Sequence, residues 1–258
     1  MIESAIHSHI AAINDCNQRG GRMLSVIDLI DAGTMDVALA AYLTACMRSG
    51  ASLLVGARSG GAGKTTVMCA LLNFLPNHTE IRAVDSPKVL DSGLAAQSGT
   101  TCFIAHEVGS GPYYAYVWGE QARKFFKLAG DGHVIASNLH ADTMQEVRDQ
   151  LCEENRVDPE HLAAVTLKIF LRLKPGSGWE PQRFIHEVYE SDGKQDQLIW
   201  QADRDGKSAG QPVQSSKVVS VEEQQKCAEF LDQMLEKNIR RIEDIRRMLV
   251  QTSMNFTS

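Results

Sequence analysis

Residues 59–66 read Ser59-Gly60-Gly61-Ala62-Gly63-Lys64-Thr65-Thr66, shortly after the apolar run Ala51-Ser52-Leu53-Leu54-Val55. Glycines in such a turn let several backbone N–H groups converge on anionic oxygens, and a helix opening at the lysine adds the positive end of its dipole. In that setting Lys64 reaches the outer phosphates of a nucleoside triphosphate and the Thr65 hydroxyl takes Mg²⁺. The spacing therefore predicts a phosphate-binding loop, with Ser59, Gly60, Gly61, Ala62, Gly63, Lys64, Thr65 and Thr66 around the phosphates. One position departs from the pattern. Arg58 stands where a glycine six residues before the lysine is usual, and a glycine occurs at Gly56 instead. The bland alternative is a glycine-rich turn that binds nothing; an apolar strand before it and a helix after it argue against that.

In a nucleotide-binding α/β core the ligand sits at the carboxyl ends of the strands, so polar residues there are the next candidates. Asp85 follows Ile81-Arg82-Ala83-Val84, Glu107 follows Cys102-Phe103-Ile104-Ala105-His106, and His140 follows Val134-Ile135-Ala136-Ser137-Asn138-Leu139. Hydrolysis of a terminal phosphate needs a held metal ion, a cation at the phosphates and a group that orients the attacking water. Glu107 is expected to activate that water or to hold Mg²⁺ through a water. His140 is expected to donate a hydrogen bond to the terminal phosphate, and Asp85 to contribute to the nucleotide site. Each has a structural alternative: a surface carboxylate for Glu107, a packing histidine for His140, and ordinary turn chemistry ahead of Ser86-Pro87 for Asp85. Asp142, two residues past His140, reads equally as a helix cap.

The elements that must position these groups follow from the rest of the pattern. Strand-like runs recur at 51–56, 81–85, 101–107, 133–139 and 165–171, with helical stretches at 34–48, 67–75 and 113–129 and another opening at Thr143. Strand alternating with helix predicts a mainly parallel sheet covered on both faces. The pattern changes after that. Phe184 to Tyr189 and Gln197 to Gln201 flank Ser191-Asp192-Gly193-Lys194 and predict an antiparallel β-hairpin. A polar connector over 203–217 leads to two helices, the first capped by Ser220 and Glu223. This divides the chain into a short helical extension (1–23), a phosphate-loop core (24–175), a hairpin with connector (176–218) and a helical end (219–258).

The 258 residues suffice for one large core, and 43% apolar with 22% charged residues is the composition of a soluble globular protein. A net charge of −6 argues against a general nucleic-acid binder. The sequence has no apolar run long enough to span a bilayer, and its first residues lack the basic-then-apolar layout of a secretory signal. Six scattered cysteines without a C-x-x-C pair point to a reducing compartment, so the expected location is cytoplasmic.

Over about residues 24 to 250 the chain resembles the motor ATPases of type II and type IV secretion, type IV pili and archaeal flagella. The resemblance rests on the loop Gly60 to Thr66, on Ile81-Arg82-Ala83-Val84-Asp85, where that family has an acidic box, and on Gly132-His133-Val134-Ile135-Ala136-Ser137-Asn138-Leu139-His140-Ala141-Asp142, where it has a Gly-His strand leading to Leu-His-Ala. It implies a RecA-like core binding ATP with Mg²⁺, and assembly as a homo-oligomeric ring, with a hexamer as the expected count. It also implies a place at the inner face of a membrane through membrane-associated secretion or pilus proteins. The family's Walker B Gly-Glu lies about 17 residues before its Gly-His pair. Here that count reaches Ala115, whereas Glu107 lies 25 residues before Gly132 and Glu120, in a literal Gly119-Glu120 pair, lies 12 before it. Strand-end placement selects Glu107. The family's N-terminal domain supplies arginines with no counterpart here; Arg82 and Arg123 are conceivable substitutes and stay outside the candidate site.

Two other readings compete. A partitioning-type ATPase of the deviant Walker class has a similar loop, but its signature lysine is replaced here by Ser59. A regulatory module that binds ATP with little hydrolysis is the other.

Overall fold

The structure, a computed structural model, describes residues 2–17, 20–96, 101–176, 181–203, 206 and 215–255. Three helices come first: α1 (Ile2–Asp15), α2 (Val26–Asp31) and α3 (Val37–Arg48). They are followed by β1 (Leu53–Gly56), α4 (Lys64–Leu72), β2 (Glu80–Ala83), α5 (Pro87–Ala95), β3 (Thr101–Val108), β4 (Tyr116–Val117), α6 (Glu120–Gly130) and β5 (Val134–Leu139). The chain continues through α7 (Met144–Arg148), a π-helical stretch (Asp149–Glu154), α8 (Pro159–Ala163), β6 (Leu167–Lys174), β7 (Gln182–Ser191), β8 (Asp196–Gln201), α9 (Val221–Glu236) and α10 (Ile242–Asn255).

The strands form one eight-stranded sheet in the order β2-β3-β5-β1-β6-β7-β8, with β4 also bonded to β3. The ladders from β2 to β6 are parallel, and the two involving β7 are antiparallel. Alternation sends Leu53, Val55, Ile104 and Ala136 to one apolar cluster, with the helices α1, α3, α4, α9 and α10. Leu54, Phe103, Ala105 and Ile135 go to the other, with α5 and α6. A sheet buried on both faces accounts for the near-continuous apolar runs of β1, β3 and β5. The expected architecture, a mainly parallel sheet covered by helices, is the one observed.

Two local expectations are corrected. The helix expected over 113–129 begins only at Glu120. Ahead of it Ala115 takes a positive φ of 53°, its carbonyl accepts from the His106 N–H, and Tyr116–Val117 is drawn into the sheet beside Glu107. The strand expected to reach Asp85 ends at Ala83. In the hairpin, β7 pairs with β6 along its length and so continues the sheet. The N-terminal helix packs on the core, with Ile6, Ile10 and Ile13 of α1 buried in the main cluster. Most of the polar connector expected at 203–217 lies outside the described residues.

Helix α4 is held at its far end by groups distant in sequence. Arg246 of α10, 2% exposed, donates from Nη1 to the carbonyls of Asn73 (2.9 Å) and Leu75 (2.6 Å). A cation at a helix carboxyl end meets the negative pole of the dipole as well as unpaired carbonyls. Burial lowers the guanidinium pKa to about 10, which leaves it charged at neutral pH. His9 of α1 reaches the Leu72 carbonyl through Nε2 at 3.1 Å, and burial, with the nearby Arg246 charge, pushes its pKa down to about 3, so it is neutral. Arg246→Ala leaves two buried carbonyls without donors and is expected to cost about 2–4 kcal/mol in urea unfolding. An unchanged midpoint and slope would show that these carbonyls find other partners.

Candidate nucleotide site

The loop between β1 and α4 is built by backbone conformations that only glycine adopts freely. Gly61 and Gly63 have φ of 77° and 94°, and Gly63 is the N-cap of α4. At Gly56 the requirement is space: a Cβ there would lie 2.5 Å from the Ala141 carbonyl oxygen. That close approach joins the end of β1 to the segment after β5. Arg58, in the usual glycine position, joins them again. Its N–H donates to Asp142 Oδ1 at 2.8 Å, its carbonyl lies 3.3 Å from His140 Nδ1, and its guanidinium pairs with Glu146 at 3.3 Å. Asp142 is therefore not the cap of α7; Thr143 is, accepting from the Glu146 N–H.

Lys64, Glu107 and His140 converge above this loop. Lys64 Nζ and His140 Nε2 each lie 3.5 Å from Glu107 Oε1. Lys64 also donates to the Ala57 carbonyl at 3.1 Å. The side chains of Lys64 and Glu107 are each 11% exposed, so their attraction is little screened, whereas that of His140 is 54% exposed and open to solvent. Glu107 Oε1 is buried and accepts no hydrogen bond among the described residues. A carboxylate oxygen that is desolvated, near a cation and not fully satisfied is poised to take a further partner.

A cavity of about 260 Å³ opens here, bounded by loop residues 60–66, by Glu107, Tyr116 and His140, and by Cys16, Asn17 and Met23 from the segment after α1. Of the residues predicted from sequence, Gly60, Gly61, Ala62, Gly63, Lys64, Thr65, Thr66, Glu107 and His140 line it. Ser59 is exposed at the loop's rim and does not. Asp85 is exposed in the connection from β2 to α5 and does not line the cavity. The reason is in the register. The last β2 pair is Ala83 with Ile104; from Glu107 onward β4 takes the place beside β3, so Tyr116 rather than Asp85 neighbours the carboxylate. Glu120 is exposed and pairs with Lys124 at 3.2 Å, away from the loop. Arg82 pairs with Glu80, and Arg123 donates to the Asn155 carbonyl; neither lines the cavity.

Two contributors escaped the sequence reading. Asn138, 1% exposed on β5, donates from Nδ2 to the Thr65 hydroxyl at 3.2 Å and to the His106 carbonyl at 2.8 Å. It thereby links the first turn of α4 to β3. Arg183 on β7 donates from Nε to the Gly61 carbonyl at 2.8 Å. Asn138 at least lay near the end of an apolar strand, two residues before His140; for Arg183 no local signal existed.

A strand, glycine-rich turn and helix at the carboxyl edge of a helix-covered, mostly parallel sheet make this an α/β P-loop fold. No family model matches the chain, and no curated protein does. Among solved structures it is similar to the VirB11 ATPase of the Brucella suis type IV secretion system, in complex with sulphate, at 20% identity over 63% of this chain, with a TM-score of 0.44. It is also similar to the ATPase DotB of Legionella pneumophila (10% identity, 87% of this chain, TM-score 0.39) and of Yersinia pseudotuberculosis (10%, 81%, 0.41). The chain spans 54%, 63% and 59% of the lengths of these three structures respectively.

Proposed function

We propose that the chain binds ATP at loop residues 60–66 and hydrolyses it, as a motor ATPase of the secretion and pilus type. The observation that carries the catalytic part is the convergence of Lys64 and His140 on the buried Oε1 of Glu107 beside the glycine loop. In this reading the loop N–H groups and Lys64 neutralise the phosphates, and Glu107 accepts a proton from the attacking water. His140, exposed at the cavity mouth, donates to the terminal phosphate. The donor set suits Mg²⁺, a hard cation that takes oxygen ligands: the Thr65 hydroxyl, oriented by Asn138, would hold it directly and Glu107 through a water. Bound there, the ion would offset charge on the phosphate oxygens.

The ring, the hexameric count, the membrane-associated secretion or pilus partners and a position at the inner face of a membrane come from the sequence resemblance, and the cytoplasmic location from the cysteine pattern. No helix among the described residues is long and apolar enough to cross a bilayer. The test is Mg²⁺-dependent ATP turnover across a protein concentration series with mass measured alongside. Turnover rising with a ring species supports the motor. Tight binding without turnover at any concentration replaces it with a nucleotide-gated module, and a nucleotide-switched dimer points to the partitioning class. His140→Ala is expected to lower turnover by about tenfold to a hundredfold with ATP affinity within about threefold, the size of a lost transition-state hydrogen bond. Unchanged steady-state kinetics would reduce His140 to a contact of Arg58.

A further inference from the structure

Arg183 enters the phosphate loop from the antiparallel side of the sheet. It shares its face of β7 with Ile185, two residues on, which packs in the same cluster as α4. From there it crosses the carboxyl end of β6 to the loop. Its Nε donates to the Gly61 carbonyl at 2.8 Å, and its Cδ would lie 3.3 Å from a Cβ placed on Gly63, so the stem rests on the loop's last glycine. Among the described residues this is the one hydrogen bond that the guanidinium makes.

The geometry has a defined effect on the loop. In a trans peptide the C=O and the following N–H point in opposite directions. Holding the Gly61 carbonyl against β7 therefore aims the Ala62 N–H away from β7, toward the interior of the loop. There it makes a long contact of 3.4 Å with the Ser59 carbonyl, a bond weak enough to exchange for an anionic oxygen. Because Gly61 has a positive φ and little steric restraint, its peptide would otherwise turn at small cost.

We propose that Arg183 is a positioning residue of the phosphate site: it fixes the Gly61–Ala62 peptide so that the Ala62 N–H is presented to the inner phosphates of a nucleotide. This rests on the reading of residues 60–66 as a nucleotide loop. Loop amides hold the phosphates that ATP and ADP share, whereas the lysine also reaches the last one. The two residues therefore leave different signatures: losing Arg183 weakens ATP and ADP alike, and losing Lys64 weakens ATP more.

The experiment compares Arg183→Met, Arg183→Lys and Lys64→Ala with the wild-type chain, by calorimetric titration with Mg·ATP and Mg·ADP and by thermal unfolding without nucleotide. Methionine keeps the stem that rests on Gly63 and removes the donor; lysine restores a donor. Arg183→Met is expected to lose about tenfold in affinity for both nucleotides at an unchanged unfolding temperature, with Arg183→Lys recovering to within about threefold. Wild-type affinities in Arg183→Met, beside a Lys64→Ala chain that has lost binding, would overturn the role of Arg183 and leave the loop reading intact. A fall in nucleotide-free unfolding temperature that accompanies the affinity loss would overturn it too, as a purely structural effect. Should the methionine variant not fold, a folded Arg183→Lys chain with near-wild-type affinities supports the proposal, and one with a tenfold loss refutes it. A wild-type chain that binds neither nucleotide takes both readings down together.

Discussion

Glu107→Gln is expected to bind Mg·ATP within about threefold of wild type and to turn it over a hundredfold to ten-thousandfold more slowly, the range that a positioned general base contributes. Glutamine keeps the shape of the side chain beside Tyr116 and so leaves the packing between β3 and β4 in place. It removes the negative charge, and with it the proton acceptor that faces the cavity and the attraction that draws Lys64 and His140 inward. Binding survives because the phosphates are held by the loop amides and Lys64, and one fewer negative charge near them does no harm. Glu120→Gln is the control. Glu120 belongs to an exposed pair with Lys124 on α6, and its loss is expected to leave turnover within about twofold. Single-turnover and steady-state phosphate release measure both. If Glu120→Gln were the inactive variant and Glu107→Gln the active one, the carboxylate would have been assigned to the wrong strand neighbour.

The second large effect is at Lys64. Lys64→Ala is expected to raise the dissociation constant for Mg·ATP by more than about a hundredfold, because a desolvated cation opposite phosphate contributes roughly 3 kcal/mol or more. The substitution also strands Glu107, whose Oε1 has Lys64 as its nearby cation in the protected part of the site. Repulsion between that carboxylate and the phosphates adds to the loss. The double variant Lys64→Ala/Glu107→Gln is therefore expected to regain part of the affinity, as two residues in contact do not act additively. Calorimetric titration with ATP reads both. Wild-type affinity in Lys64→Ala would remove the lysine from the phosphate site.

What could be read from the chain and what could not follows the range of the interactions involved. The glycine-rich loop is local: its backbone directions, lysine and threonine lie within eight residues, so their types and spacing are nearly the whole description. The parallel, doubly covered sheet was legible for a similar reason, since strands buried on both faces need continuous apolar runs, and 51–56, 101–107 and 133–139 have them. Glu107 could be singled out because an apolar strand ending in a carboxylate at the ligand edge has few structural uses. Asp85 met the same rule, yet it does not line the cavity. Whether a strand end reaches the ligand depends on where its neighbour stops, and β2 yields its place beside β3 to β4 before the edge is reached. The short strand itself was invisible, as two residues held by cross-strand bonds carry no periodicity. Asn138 and Arg183 meet the loop across 73 and 122 residues of sequence, through strand register that no local pattern encodes.

Arg246 and His9 give α4 a mechanical character. The helix begins at the glycine-rich loop; at its far end an imidazole bonds the Leu72 carbonyl and a desolvated guanidinium bonds the carbonyls of Asn73 and Leu75 just beyond it. To slide along its axis it would have to break three buried hydrogen bonds at once, two of them charge-assisted. The far end thus resists translation of the helix along its axis. A tilt at the near end is felt first by what touches the loop there: Arg58 and the β5–α7 connection on one flank, Arg183 and the antiparallel edge of the sheet on the other. The helix is therefore tied at both ends: its far end to α1 and α10, and its loop to the two flanks of the sheet.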